Sequence, residues 1–170
     1  MHSMSILVSN RTHAKLLWTI LPLVVGLVTP SAVILWLEVF VAHTSLASAI
    51  VDLARRQFAT GENLFLLALV GLIPFALLSV ISLIAGRFVS GRRLACIAIG
   101  GLVGILAFTV PAHVSVWYPL YGGGPTSSTA VIAFIFIPFY CVATLVVGLL
   151  IGLAISFLPF LRHNAPASVR

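Results

Sequence analysis

Few side chains in this sequence could do acid–base or metal chemistry, and most of them flank long apolar segments. Five polar residues fall at one predicted end of the molecule: Glu38, His43, Arg55, Arg56 and His113. Carboxylate and imidazole groups build proton relays and metal sites. These five come from separate segments and lack a close ligand spacing such as His-x-x-x-His, so a set of ordinary interfacial polar residues is the favoured interpretation. The sequence therefore predicts no catalytic residue, metal ion or cofactor.

A second feature is the predicted outer loop, residues 112–125, which contains no Asp, Glu, Lys or Arg. It carries three large aromatic side chains: Trp117, Tyr118 and Tyr121. Such rings favour the headgroup layer of a membrane. The loop either anchors the protein at the interface, or caps a cavity or docks a partner. We expect it to fold back over the helix ends near Glu38, bringing His113 close to a carboxylate, because burial of apolar area recovers about 25 cal/mol per Å².

The two cysteines, Cys96 and Cys141, lie inside apolar segments and form no Cys-x-x-Cys pair. Thiols in apolar surroundings are usually inert. They are interpreted as small core residues. A quinone-linked disulfide oxidoreductase, which needs paired cysteines in an outer loop, is excluded.

The composition decides which kind of element must position these residues. The mean hydropathy is +1.23, 61% of the residues are apolar and only 7% are charged. A soluble domain has about a quarter of its residues charged. A transmembrane β-barrel needs short segments of alternating hydrophobicity, whereas the apolar runs here are unbroken. Nucleic-acid binding is also excluded, since the basic residues are sparse and lie at the ends of apolar runs.

The apolar runs predict four transmembrane helices. The predicted spans are residues 16–38, 64–85, 94–110 and 129–158, within a transmembrane domain of residues 16–161. Pro111 is expected to close the third span. After the first span, Leu46, Ile50 and Leu53 repeat at helical spacing among polar residues and predict an interfacial helix at about 45–59. The predicted fold class is thus an all-α integral membrane protein, an antiparallel bundle of four helices with a short amphipathic helix at the interface.

The basic residues orient this bundle. If the N-terminus is cytoplasmic, the inner side holds seven basic residues: Arg11, Lys15, Arg87, Arg92, Arg93, Arg162 and Arg170. The outer side then holds Arg55 and Arg56 with the three acids Glu38, Asp52 and Glu62. An excess of Lys and Arg in short loops marks the cytoplasmic side. Segments 1–15 and 162–170 are therefore predicted to be cytoplasmic. The eight Arg and one Lys suggest a bacterial protein, and thus an inner-membrane location.

A signal peptide is the alternative interpretation of the first apolar run. Its basic residues followed by an apolar stretch fit that pattern. The run is too long, however, and Pro30 occupies the −3 place of the best cleavage site, after Ala32. An uncleaved first span is preferred.

Two pairs of glycines predict a contact between the last two spans. Gly100 and Gly104 lie in the third span, Gly148 and Gly152 lie in the fourth, and both pairs have the four-residue spacing that allows close helix approach. Their depths match for an antiparallel pair. The alternative is that glycine is merely frequent in membrane helices.

These features favour an accessory or scaffolding subunit of a larger membrane assembly, because the loops are short and no catalytic constellation is present. The alternatives are a small oligomeric channel or transporter, and a membrane enzyme acting on lipid or quinone at the outer interface. The lipid bilayer is the predicted partner, with a protein partner or self-association in the membrane.

Overall fold

A computed structural model describes residues 2–59, 63–124 and 130–158, and the side chains of these ranges apart from 2–14, 130 and 131. Six helices and no strand occur in these ranges, which confirms the all-helical class. They are α1 (His2–Phe40), α2 (Leu46–Arg56), α3 (Leu64–Gly71), α4 (Ile73–Phe88), α5 (Gly91–Tyr121) and α6 (Ala130–Ser156). Glu62, the predicted start of the fourth span at residue 129 and the tail 162–170 lie outside the described residues.

Three helices are long and apolar enough to cross a membrane. These are Lys15–Phe40 of α1, Gly91–Tyr121 and Ile132–Ser156 of α6. Helix α1 begins at His2, well before the predicted start at residue 16. The chain has no Gly or Pro before Pro22, so no residue there breaks a helix. Pro22 and Pro30 lie inside α1 and are fully buried.

The predicted second span is broken into α3 and α4, which meet at an angle of 42°. Gly71 ends α3, and Pro74 lies in the first turn of α4. The N–H of Leu72 donates to the Leu69 carbonyl at 3.2 Å, which tightens the end of α3. Proline has no N–H to donate and crowds the preceding turn, so the helix cannot pass straight through. Together α3 and α4 are long and apolar enough to form one bent span.

The predicted end of the third span at Pro111 is wrong. Helix α5 continues through Pro111 and Pro119 to Tyr121, so most of the predicted loop 112–125 is helical. Residues on one face of α5 stay buried at every fourth position across Pro111: Ile105, Thr109, His113 and Trp117. Packing of this face against neighbouring helices stabilises a helix that contains a proline.

Helix α5 lies at the centre of the bundle and contacts α1, α4 and α6. One buried cluster, including Phe75, Leu78 and Leu145, joins α4, α5 and α6. A second cluster, which includes Leu37 and Trp117, joins α1, α3 and α5.

The glycine pairs allow α6 to lie directly on α5. A Cβ atom added to Gly100 would stand 2.8 Å from Cα of Gly152, and one added to Gly148 would stand 3.0 Å from Cα of Gly104. Each of these added atoms would also clash with a backbone carbonyl of the facing helix. The two backbones are therefore in contact, in the antiparallel arrangement that the sequence predicts.

Candidate functional site

Three helix ends converge at the end of the bundle that carries Glu38. Glu38 lies in the last turn of α1, and a tight turn then redirects the chain into α2. In that turn His43 adopts a left-handed conformation with φ of 55°, and the Thr44 hydroxyl donates to the Glu38 carbonyl at 2.6 Å. Ser45 begins α2 by accepting a hydrogen bond from the Ser48 N–H at 3.3 Å. This turn lays α2 against α1.

Glu38, Arg56 and Tyr121 form a polar cluster, the Glu38–Arg56–Tyr121 cluster. Arg56 Nη1 lies 3.6 Å from Glu38 Oε1 and donates to the Tyr121 hydroxyl at 2.7 Å. That hydroxyl in turn donates to Glu38 Oε1 at 3.3 Å. The Glu38 side chain is 5% exposed and that of Arg56 is 34% exposed. The cluster therefore ties α1, α2 and α5 together through a carboxylate that is almost completely buried.

Two further polar atoms are buried at this end of the bundle without a hydrogen-bond partner among the described residues. They are the second carboxylate oxygen of Glu38, Oε2, and the indole nitrogen of Trp117. An unsatisfied buried polar atom costs about 1–3 kcal/mol. The carboxylate thus has an unused acceptor, and Trp117, one helical turn before Tyr121, has an unused donor.

His113 lies apart from this cluster. Its Nδ1–H donates to the carbonyl of Thr109 at 2.9 Å, one turn earlier on the same helix. Its ring packs on Phe134 of α6 with centroids 5.7 Å apart. His113 precedes Tyr121 by eight residues, which is about 12 Å along a helix, and among the described residues it pairs with no carboxylate. The expectation that His113 would meet a carboxylate in a folded-back loop is therefore wrong, because His113 lies on a continuous helix.

Thr109 also bonds across the bundle. Its hydroxyl lies 3.0 Å from the sulfur of Cys141 on α6. Both side chains are buried, so this contact fixes the register of α5 against α6 one turn from His113. Cys141 is a free thiol at this packing contact.

The other predicted polar residues lie outside the cluster. Arg55 is 3.9 Å from Asp52 on the same exposed face of α2, and exposed pairs of this kind contribute little to stability. His43 is exposed. The structure thus brings Glu38 together with Arg56, while His43, Arg55 and His113 take no part in this contact. No group of three His, Cys, Asp or Glu side chains within the described residues could hold a metal ion.

The three aromatic side chains of the predicted loop lie on the last two turns of α5. Trp117 is buried and packs on Phe134 with centroids 5.3 Å apart. Tyr121 belongs to the polar cluster, and Tyr118 is 51% exposed. The contact of Tyr121 with Glu38 was not predicted from the sequence. The signal was the four-residue spacing of His113, Trp117 and Tyr121, which places all three on one helical face.

The bundle also has concave apolar surfaces. A groove of about 650 Å³ follows the seam between α5 and α6 and is lined by residues from Cys96 to Phe108 and from Thr144 to Ile155. A smaller groove of about 380 Å³ lies between α1 and α5, where Trp36 faces Val110 and Val114. These surfaces suit hydrocarbon better than a polar substrate.

Comparisons of the chain with models of protein families, with curated proteins and with solved structures found no match.

Proposed function

We propose that this chain is a small multi-pass protein of a bacterial inner membrane that acts as an accessory or scaffolding subunit of a larger membrane assembly. Its four spans are α1, the bent pair α3 and α4 counted as one span, α5 and α6. Both termini are cytoplasmic, and α2 lies along the outer interface.

The distribution of charge supports this topology. Counting α3 and α4 as one span puts the turn between α4 and α5, with Arg87, Arg92 and Arg93, on the cytoplasmic side, as short basic loops prefer. The Glu38–Arg56–Tyr121 cluster then lies at the outer end. The amphipathic α2 joins that end, since its Ala49 is buried against the bundle while Leu46 and Ile50 are exposed. Such a helix is suited to the boundary between headgroups and acyl chains.

The observation that carries the scaffolding role is that polar side chains at the outer end are used to hold helices together. Glu38, Arg56 and Tyr121 bond to one another, and His113 bonds to its own helix. The grooves of the bundle are apolar and open along its sides. An enzyme or ion-coupled transporter needs polar groups facing a cavity. A subunit that acts by contact needs exposed side chains, and Tyr118, Leu120 and Phe58 are exposed at the outer end.

Photo-crosslinking tests the scaffolding role. A photoreactive phenylalanine analogue at Tyr118 should crosslink one defined membrane protein in cells. The same residue at Val147, which is similarly exposed but lies on α6, should crosslink lipid only. Native mass spectrometry in mild detergent should then show a complex of fixed stoichiometry that Tyr118→Ala dissociates. A homo-oligomer would favour the channel alternative, and a monomer that crosslinks only lipid from both positions would contradict the proposal.

The unused acceptor of Glu38 supports a second candidate, an enzyme acting on lipid or quinone at the outer interface. A catalytic role is one explanation of a buried polar atom without a hydrogen-bond partner. Under this candidate Glu38→Gln, which keeps the size of the side chain, would abolish turnover of a lipid or quinone substrate while the fold persists. Under the scaffolding proposal the same variant changes stability alone.

A further inference from the structure

The groove along the seam between α5 and α6 exists because glycines line its floor. Gly100, Gly104, Gly148 and Gly152 bring the two backbones into contact and line the groove. The walls are apolar side chains that remain about half exposed, such as Val103 and Val147. The groove therefore runs lengthwise along the surface of the bundle. In the proposed membrane protein it would be open to the bilayer.

The dimensions of this groove fit a hydrocarbon chain. From Cys96 to Phe108 it follows twelve residue steps of α5, or about 18 Å. The hydrocarbon region of one leaflet is about 15 Å thick, half of the bilayer core. Its volume of about 650 Å³ lies within the range of pockets for small ligands, about 300–1,000 Å³.

One end of the groove is marked by arginines. Cys96 and Ile155 line this end, and Arg92 and Arg93 precede Cys96 by one helical turn. The guanidinium of Arg93 lies over the ring of Phe157, with 5.1 Å between the carbon Cζ and the ring centroid, so it sits between α5 and α6 where the groove ends. Both arginines are exposed. The two salt bridges among the described residues, Arg55 with Asp52 and Arg56 with Glu38, lie at the opposite end of the bundle.

We propose that this groove is a binding site for an anionic glycerophospholipid of the cytoplasmic leaflet. One acyl chain lies along the glycine seam, and Arg92 and Arg93 bind the phosphate group. An apolar groove about one leaflet long, with two arginines at its cytoplasmic end, complements such a lipid in both shape and charge. A zwitterionic lipid fits the groove equally well but gains less binding free energy from the arginines. The proposal rests on the membrane insertion and orientation proposed above, and it does not depend on the accessory role.

Two other occupants fit the groove less well. A partner helix, or a second copy of the chain, would have to pack on the open side of the groove. Neither alternative uses the pair of arginines, because a hydrophobic helix surface has no charge to offer them.

Native mass spectrometry of the purified chain tests the proposal. Phosphatidylglycerol and phosphatidylcholine with the same acyl chains are added in turn, and the bound lipid is counted. We expect phosphatidylglycerol to be retained more strongly. Arg92→Gln should weaken its apparent affinity about fivefold, which corresponds to about 1 kcal/mol per arginine near the membrane surface. Arg87→Gln is the matched control, since it removes one charge from the same turn but lies on α4, which does not line the groove.

A groove-filling variant tests the acyl chain separately. Val103→Phe adds bulk to an exposed wall of the groove and should reduce retention of both lipids without lowering the melting temperature. The proposal is overturned if the two lipids bind equally, if Arg87→Gln weakens binding as much as Arg92→Gln, or if Val103→Phe leaves binding unchanged. A dimer that Val103→Phe dissociates would assign the groove to self-association instead. The lipid assay uses the purified chain alone. Failure to find a protein partner in the crosslinking experiment would therefore refute the scaffolding role and leave the lipid site unaffected.

Discussion

At the residue scale, the Glu38–Arg56–Tyr121 cluster shows how a carboxylate can be buried at a helix end. Removing a carboxylate from water is costly unless it is paired and hydrogen-bonded. Arg56 supplies the opposite charge and Tyr121 supplies a hydroxyl donor. Each partner comes from a different helix, so the cluster stabilises the arrangement of the helices and not only the charge of Glu38.

The first prediction concerns Arg56. Arg56→Gln should lower the free energy of unfolding by about 1–3 kcal/mol, because it leaves the buried Glu38 carboxylate without its counter-charge. The measurement is thermal unfolding in detergent, followed by circular dichroism. Arg55→Gln is the neighbouring control and should change stability by less than about 0.5 kcal/mol, since Arg55 is exposed. Equal effects of the two substitutions would mean that the cluster contributes nothing specific.

The sequence identified Glu38 and Arg56 as candidates but gave no means of choosing between Arg55 and Arg56. Which arginine reaches Glu38 depends on how α2 is rotated against α1, and the burial of Ala49 sets that rotation. Tyr121 was missed because Pro111 was read as a helix end. Once α5 is continued to residue 121, Tyr121 falls on the same face as the buried Thr109, His113 and Trp117.

At the element scale, the helices themselves were readable from their apolar runs, and the N-cap of α2 at Ser45 matches the predicted start near residue 45. Proline accounts for two differences between the predicted and the observed helices. Pro111 does not interrupt α5, whereas Pro74, close to Gly71, breaks the second span into α3 and α4. Whether a proline breaks a helix depends on the packing around it, which a single sequence does not reveal.

The second prediction concerns the glycine seam. Gly104→Leu or Gly148→Leu should lower stability by at least about 1–3 kcal/mol, because the added side chain must force two contacting backbones apart. The melting temperature in detergent is the measurement. Gly71→Leu is the control, since a Cβ atom at Gly71 meets nothing within 4 Å. Unchanged stability of both seam variants would show that α5 and α6 do not pack through these residues.

At the scale of the whole molecule, the bundle has two dissimilar ends. One end holds the buried carboxylate cluster, the amphipathic α2 and exposed aromatic side chains; the other holds the basic turn between α4 and α5. This asymmetry was predictable, because it depends only on which residues fall between apolar runs. The apolar groove between α5 and α6 was not predictable in its extent, since it depends on how closely the glycines allow the two backbones to approach.

In the proposed topology, four spans place these two ends on opposite sides of a membrane, with the basic turn in the cytoplasm. Cysteine accessibility tests it directly in intact cells. In a background of Cys96→Ser and Cys141→Ala, single cysteines are introduced by Gly91→Cys, at the start of α5, and by Gly124→Cys, just beyond its end. The Cβ atom of a cysteine fits at either position without a clash. A membrane-impermeant maleimide should label position 124 in intact cells and position 91 only after the membrane is permeabilised. Labelling of position 91 in intact cells, or of both positions from the same side, would contradict this topology.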